Sequence, residues 1–181
     1  MNAELTFLTA LQGLHTPFWD AVMLFFTHLG DSGFVWIALT AVLLAFRKTR
    51  RAGCILAAAL ALDLFFCNIL LKPLVHRIRP CDVLPDVALL IPRPDDFSFP
   101  SGHTAASFTA VAALWQAGKH CLSRAVLALG TLIAFSRLYL CVHYPTDILG
   151  GVLVGIACGV LGAKIVQWIW QKNAARLGRA E

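Results

Sequence analysis

Three short clusters between residues 72 and 147 hold side chains suited to chemistry on a phosphate group. The first is Lys72-Pro-Leu-Val-His-Arg-Ile-Arg79-Pro80. On a continuing helix Lys72 and Arg79 would share one face, where an ammonium and a guanidinium fork receive phosphate oxygens. Snorkelling cations that anchor a helix end are the plainer alternative. Pro73 stands in that turn, and Pro80 biases Arg79 toward ending the helix. The second cluster is Pro100-Ser101-Gly102-His103. Ser101 suits a helix N-cap, Gly102 lets the backbone approach a ligand, and the N–H groups of a helix start favour an anion. His103 would stand beside that anion with a titratable proton. The third runs from Ser136-Arg137 through His143 to Asp147, with Pro145 reading as an early helical position. One helical turn separates His143 from Asp147, so the carboxylate can accept the ring N–H. That bond would fix the tautomer and raise the nucleophilicity of the other nitrogen.

The elements that must position these groups are apolar. The 181-residue chain is 59% hydrophobic and 14% charged, with mean hydropathy +0.73. Soluble domains are nearer ~45–50% apolar and ~25% charged, so this is a small protein that uses lipid as its solvent. Six apolar segments lie near residues 17–29, 33–46, 52–71, 103–118, 122–140 and 146–170. A spanning helix needs about 20 apolar residues, which the third, fifth and sixth supply easily. Residues 1–16 could lengthen the first segment or lie flat on the membrane. The expectation is an all-α polytopic bundle, one domain over residues 1–181, with about six crossings. Five crossings plus an interfacial helix is the alternative.

Charge orients the bundle. Arg47, Lys48, Arg50, Arg51, Lys119, Arg124, Lys164, Lys172, Arg176 and Arg179 fall on one side, which the positive-inside rule makes cytoplasmic. Both termini, including a basic tail at 171–181, are then expected inside. Lys72, Arg77, Arg79, Arg93 and Arg137 fall at the other face and call for an anion there. The loop 76–100 at that face contains Pro80, Pro85, Pro92 and Pro94 and ends on Pro100, so it is expected to be irregular. The net charge of +5 belongs to topology and site electrostatics, and no nucleic-acid partner is expected. The six cysteines show no paired ligand spacing and read as small apolar residues, with Cys81 the exception because of its polar loop. Gly151, Gly155 and Gly159 recur every four residues and mark close helix packing, within the chain or between chains. Asp63, in mid-segment, reads as a buried interhelical hydrogen bond too deep for the phosphate, or as a proton relay.

Alternating spans bring all three clusters to one face. Cations, a helix N-terminus and two histidines, one backed by a carboxylate, make a phosphoryl-transfer site. The residues resemble the type 2 phosphatidic acid phosphatase (PAP2) superfamily, which carries KxxxxxxRP, PSGH and SRxxxxxHxxxD in this order. Lys72, Arg79, Pro80, Pro100, Ser101, Gly102, His103, Ser136, Arg137, His143 and Asp147 fill every specified position. The resemblance implies that His143 attacks phosphorus, oriented by Asp147, to form a phosphohistidine. It implies that His103 protonates the leaving oxygen and then activates water. Lys72, Arg79, Ser101, Gly102 and Arg137 would hold the non-bridging oxygens.

No metal or other cofactor is expected, and Asp95 and Asp96 read as solvated loop residues. The implied partner is a membrane lipid phosphate in the bilayer, handled at the extracytoplasmic face of the cell membrane. Undecaprenyl pyrophosphate is the first candidate, with phosphatidic acid and phosphatidylglycerol phosphate next. A phosphotransferase with the same site, and a non-catalytic lipid-binding or transport module, are the readings from other classes.

Overall fold

A computed structural model describes residues 3–84 and 87–177, with side chains through residue 175. Pro85, Arg179 and the side chain of Arg176 lie outside the described residues. The apolar segments form helices, and no strand occurs among the described residues. The order is α1 (Ala3–Gln12), α2 (Pro17–Gly30), α3 (Phe34–Ala45), α4 (Arg50–Asp63), α5 (Lys72–Val75), α6 (Pro80–Val83), α7 (Gly102–Gln116), α8 (His120–Tyr139) and α9 (Pro145–Leu177). Between α4 and α5 the coil widens into a π-helical stretch, Leu64–Leu71, so the three run on as one rod.

Many large apolar side chains face outward, and alanines are prominent in the interior. Phe18, Phe34, Phe46, Leu64, Leu149, Leu153 and Trp168 are exposed, whereas Ala52, Ala59, Ala110 and Ala113 are buried with Ile55, Leu56 and Leu114. This suits a lipid surround, where helices associate through close backbone approach rather than by hiding apolar surface from water. Four stretches are long and apolar enough to cross a membrane: Pro17–Ala45, Arg50–Val83, His120–Tyr139 and Pro145–Ala175. The protein is an all-helical membrane protein.

The glycine stripe packs within the chain. A Cβ at Gly151 would lie 2.8 Å from the Ser101 carbonyl oxygen, and one at Gly159 would lie 2.5 Å from the Ala112 Cβ. These contacts run in register, so α7 and α9 lie parallel and both begin at the same end. At the opposite end Arg51, at the start of α4, stacks on Trp170, late in α9, 5.3 Å from the ring centroid.

The first expected crossing is different. Asp20, early in α2, accepts from Tyr139 Oη at 2.7 Å, and Asp31, just past its end, meets His103. Both ends of α2 therefore touch the end of the bundle where α7 begins, and α2 does not carry the chain across. Ser32 (φ 52°) and Gly33 (φ 67°) turn the chain, and α3 makes the traverse. Among the described residues, α2–α3 taken together, the α4–α5 rod, α7, α8 and α9 pass from end to end. α1 packs Leu8 and Leu11 on Cys141 and Tyr144, at the end opposite to Trp170.

Candidate active site

Arg79 and Lys72 meet, but not along a helix. α5 stops at Val75 because His76 takes a left-handed conformation (φ 52°), and Arg79, ahead of Pro80, is extended (ψ 152°). Pro80 then starts the one-turn α6, the helical exception in an otherwise irregular loop. Lys72 Nζ and Arg79 Nη2 both donate to the Asp96 carboxylate, and Arg79 Nε donates to the Asp96 carbonyl at 2.8 Å. Asp96 is exposed, as expected of a loop residue, but it is paired with both cations, which the sequence did not reveal. Burial alone would raise its carboxyl, but the hydrogen bond and charge of Lys72, with the charge of Arg79, hold it at about 2. A carboxylate in the loop just before Pro100 was the available signal; the loop's course, which brings Asp96 onto Lys72 and Arg79, was not visible.

His143 is buried in the junction between α8 and α9, with 1% of its surface exposed. Arg79 Nη1 lies 3.3 Å from His143 Nε2 and donates to the Val142 carbonyl at 2.7 Å. His143 Nδ1 is 3.5 Å from Asp147 Oδ2 and has no hydrogen-bond partner among the described residues. Asp147 is held from three other sides: Ser98 Oγ and the Tyr144 N–H donate to Oδ2 at 2.5 and 2.9 Å, and Arg77 Nη1 donates to Oδ1 at 2.6 Å. Arg77 also donates to Glu4 Oε2 at 2.8 Å and lies over the Tyr144 ring, which ties α1 to the Asp147 carboxylate. Sequence reasoning placed Arg77 at this face without finding its partners, and it passed over Ser98. Burial pushes the His143 imidazole down to about 3, and Arg79 and Arg137 add to this against the opposing Asp147 carboxylate. The ring is therefore neutral at physiological pH, the state a nitrogen nucleophile needs.

Ser101 caps α7, with its Oγ 3.5 Å from the Thr104 N–H and accepting from Thr104 Oγ1 at 3.0 Å. Its own N–H donates to the Asp147 carbonyl at 3.1 Å, which joins the starts of α7 and α9. Arg137 donates through Nη1 to Thr27 of α2, while its Nε has no partner among the described residues.

A cavity of about 780 Å³ collects Lys72, Arg79, Gly102, His103, Arg137 and His143 on one wall system. Ser101 and Asp147 are fully buried behind that wall. The cavity continues past Asn68 to Asp63, which is buried with Thr109 of α7 as its interhelical neighbour, while its Oδ1 lacks a partner among the described residues. Among the described residues no group of three or more His, Cys, Asp and Glu side chains could hold a metal ion. Cys81 is buried with Met23, Tyr139, Leu140 and Val142, a packing residue despite its polar loop.

A buried neutral imidazole on a cavity that Lys72, Arg79, Arg93, Arg137 and His103 also line makes a site suited to an anion such as a phosphoryl group. Comparison with known proteins points the same way. Residues 52–171 match the model of the PAP2 superfamily. The chain is 33% identical to the lipid A 4'-phosphatase of Bacteroides thetaiotaomicron, over 94% of this chain and 78% of that one. It is 30% identical to an undecaprenyl-diphosphatase of Sulfolobus acidocaldarius, over 81% of this chain and 70% of that one. The crystal structure of Aquifex aeolicus LpxE superposes with a TM-score of 0.78 at 33% identity, covering 91% of this chain and 96% of that one. The extent of these matches, together with the three motifs meeting at one cavity, makes this chain a member of the PAP2 superfamily of phosphatases.

Proposed function

We propose that this chain hydrolyses a lipid-linked phosphate or diphosphate through a phosphohistidine on His143, with undecaprenyl diphosphate as the first substrate. The observation that carries the reading is His143 Nε2, in a neutral buried ring, facing the cavity that Lys72, Arg79 and Arg137 also line. In the first half-reaction Nε2 bonds to the terminal phosphorus as the bond to the leaving oxygen breaks, the bridging oxygen of a diphosphate or the ester oxygen of a monophosphate, and His103 protonates that oxygen. In the second, water proton-coupled to His103 attacks phosphorus and the N–P bond breaks, which releases phosphate. Asp147 accepts the Nδ1 proton bond as the ring charges, and the three cations hold the non-bridging oxygens. Ser101 contributes by fixing the start of α7, so that the Gly102 backbone faces the phosphate. Asp96 yields Lys72 and Arg79 to the incoming phosphate.

The basic end is cytoplasmic by the positive-inside rule, so the cavity opens at the extracytoplasmic face and α1 lies there with it. Identity to the lipid A 4'-phosphatase over nearly the whole chain favours a second reading, a sugar-linked monophosphate on a lipid. Phosphatidylglycerol phosphate and phosphatidic acid follow. Phosphate release by detergent-purified protein in EDTA separates these: undecaprenyl diphosphate, lipid A and the two glycerolipid phosphates are offered to wild type and His143→Ala. Release from undecaprenyl diphosphate by wild type alone supports the first reading. Release only from lipid A moves the assignment to the second, and release by His143→Ala overturns the nucleophile.

A further inference from the structure

We infer that Asp31 is the positioning residue of His103, so that each histidine of the site is carried by its own carboxylate. The inference deepens the phosphatase reading above and rests on it. Asp31 lies on the turn after α2, and its Oδ1 is 3.1 Å from His103 Nε2. Its other oxygen, Oδ2, is 2.8 Å from His28 Nδ1, one helical turn back, so the carboxylate is gripped from behind. Among the described residues nothing hydrogen-bonds to His103 Nδ1, which leaves one ring nitrogen for the reaction.

The neighbouring residue supplies the seat. A Cβ at Gly30 would lie 2.6 Å from His103 Cδ2 and 2.8 Å from Ile133 Cγ2, so the ring occupies the space a side chain would take. Gly30 and Asp31 thus fix the ring plane and one of its nitrogens from a single turn. Asp31, His28 and Gly30 all line the cavity that holds His143, so this contact is part of the site rather than of the packed core. Arg137 and Lys72 line it too and oppose positive charge on the ring, and Asp31 is the carboxylate in contact with the ring.

The consequence falls on proton transfer. As the His143 N–P bond forms, the P–O bond to the lipid breaks, and the proton on His103 moves to that oxygen. In hydrolysis a water proton returns to His103 as the oxygen bonds phosphorus and the N–P bond breaks. A carboxylate on the far nitrogen keeps the ring aligned and stabilises its charged form in both steps. Leaving groups that need a proton depend on this, whereas those that depart as stable anions depend on it less.

The test is kcat/KM of the full-length protein in detergent on two monophosphates, a long-chain alkyl phosphate and p-nitrophenyl phosphate. In Asp31→Asn the ratio of alkyl to nitrophenyl kcat/KM should fall at least about tenfold, as it should in His103→Ala. Gly30→Ala should move the ratio in the same direction, and Asp31→Glu should recover part of it. Equal losses on both substrates, an unchanged ratio or a faster alkyl reaction would overturn the inference. Should Asp31→Asn fail to fold, judged by its thermal midpoint, the Asp31→Glu ratio decides, and an unchanged value overturns the inference. Wild type inactive on both substrates, or as active as His143→Ala, overturns the phosphatase reading and the inference together.

Discussion

His143 is the residue on which the reading turns, and its environment keeps it neutral and makes it acid-sensitive. His143→Ala should lower phosphate release by at least about a thousandfold, whereas Asp147→Asn, which alters an orienting group, should retain a measurable fraction. Steady-state release from the substrate identified above checks both. Because burial holds the folded ring at about 3, below the unfolded value near 6.5, the unfolded chain binds the extra proton in between. Stability should therefore fall as pH drops from about 6.5 toward 3. Asp96, held at about 2, adds a loss of the same sign as pH falls through its unfolded value of about 3.8. Thermal midpoints in detergent across this range test the sign, and nitrogen NMR should show the His143 imidazole still neutral at about pH 5. Asp96→Asn removes the carboxylate that engages Lys72 and Arg79. Inhibition by inorganic phosphate should then strengthen by roughly tenfold, read as an inhibition constant.

Between α7 and α9 the separation is set by absent side chains. A Cβ at Gly155 would lie 2.8 Å from the Thr109 N and 3.0 Å from the Phe108 Cβ, with no flexible neighbour to give way. Gly155→Val should cost about 1–3 kcal/mol by overpacking, seen as a lower thermal midpoint. It should lower activity as well, because these two helices are tied at their starts through the Ser101 N–H and the Asp147 carbonyl. The π-helical stretch has a similar bearing on the site. It brings Asn68 beneath Gly102, where a Cβ would meet Asn68 Oδ1 at 3.1 Å, and π turns recur where function overrides regular geometry. That the glycine stripe meant close packing was legible from its spacing. Which helix it packs against was not, because the partner face of α7, with Thr104, Ala105, Thr109, Ala112 and Ala113, is made of small residues that carry no signal of their own.

At the scale of the molecule, five end-to-end runs place α1 and the far end of α9 at opposite ends of the bundle. Exposed Cys121, at the start of α8, lies at the end away from the site. In intact cells it should resist a membrane-impermeant maleimide that labels a cysteine introduced at Ala3, and permeabilisation should expose both. Labelling of Cys121 from outside would reverse the orientation. The motifs themselves were readable because phosphoryl chemistry demands particular side chains at fixed local spacings, as in His143 and Asp147 one turn apart. Helical content and membrane solvation followed from composition, since a run of apolar residues in lipid must satisfy its backbone internally. Tertiary structure alone decided that Asp96, Arg77, Ser98 and Asp31 belong with those motifs, because their partners lie far away along the chain and hydrogen bonds leave no periodic trace. It also decided that α2 stays at one end, since hydropathy measures how long an apolar segment is and says nothing of the direction it takes.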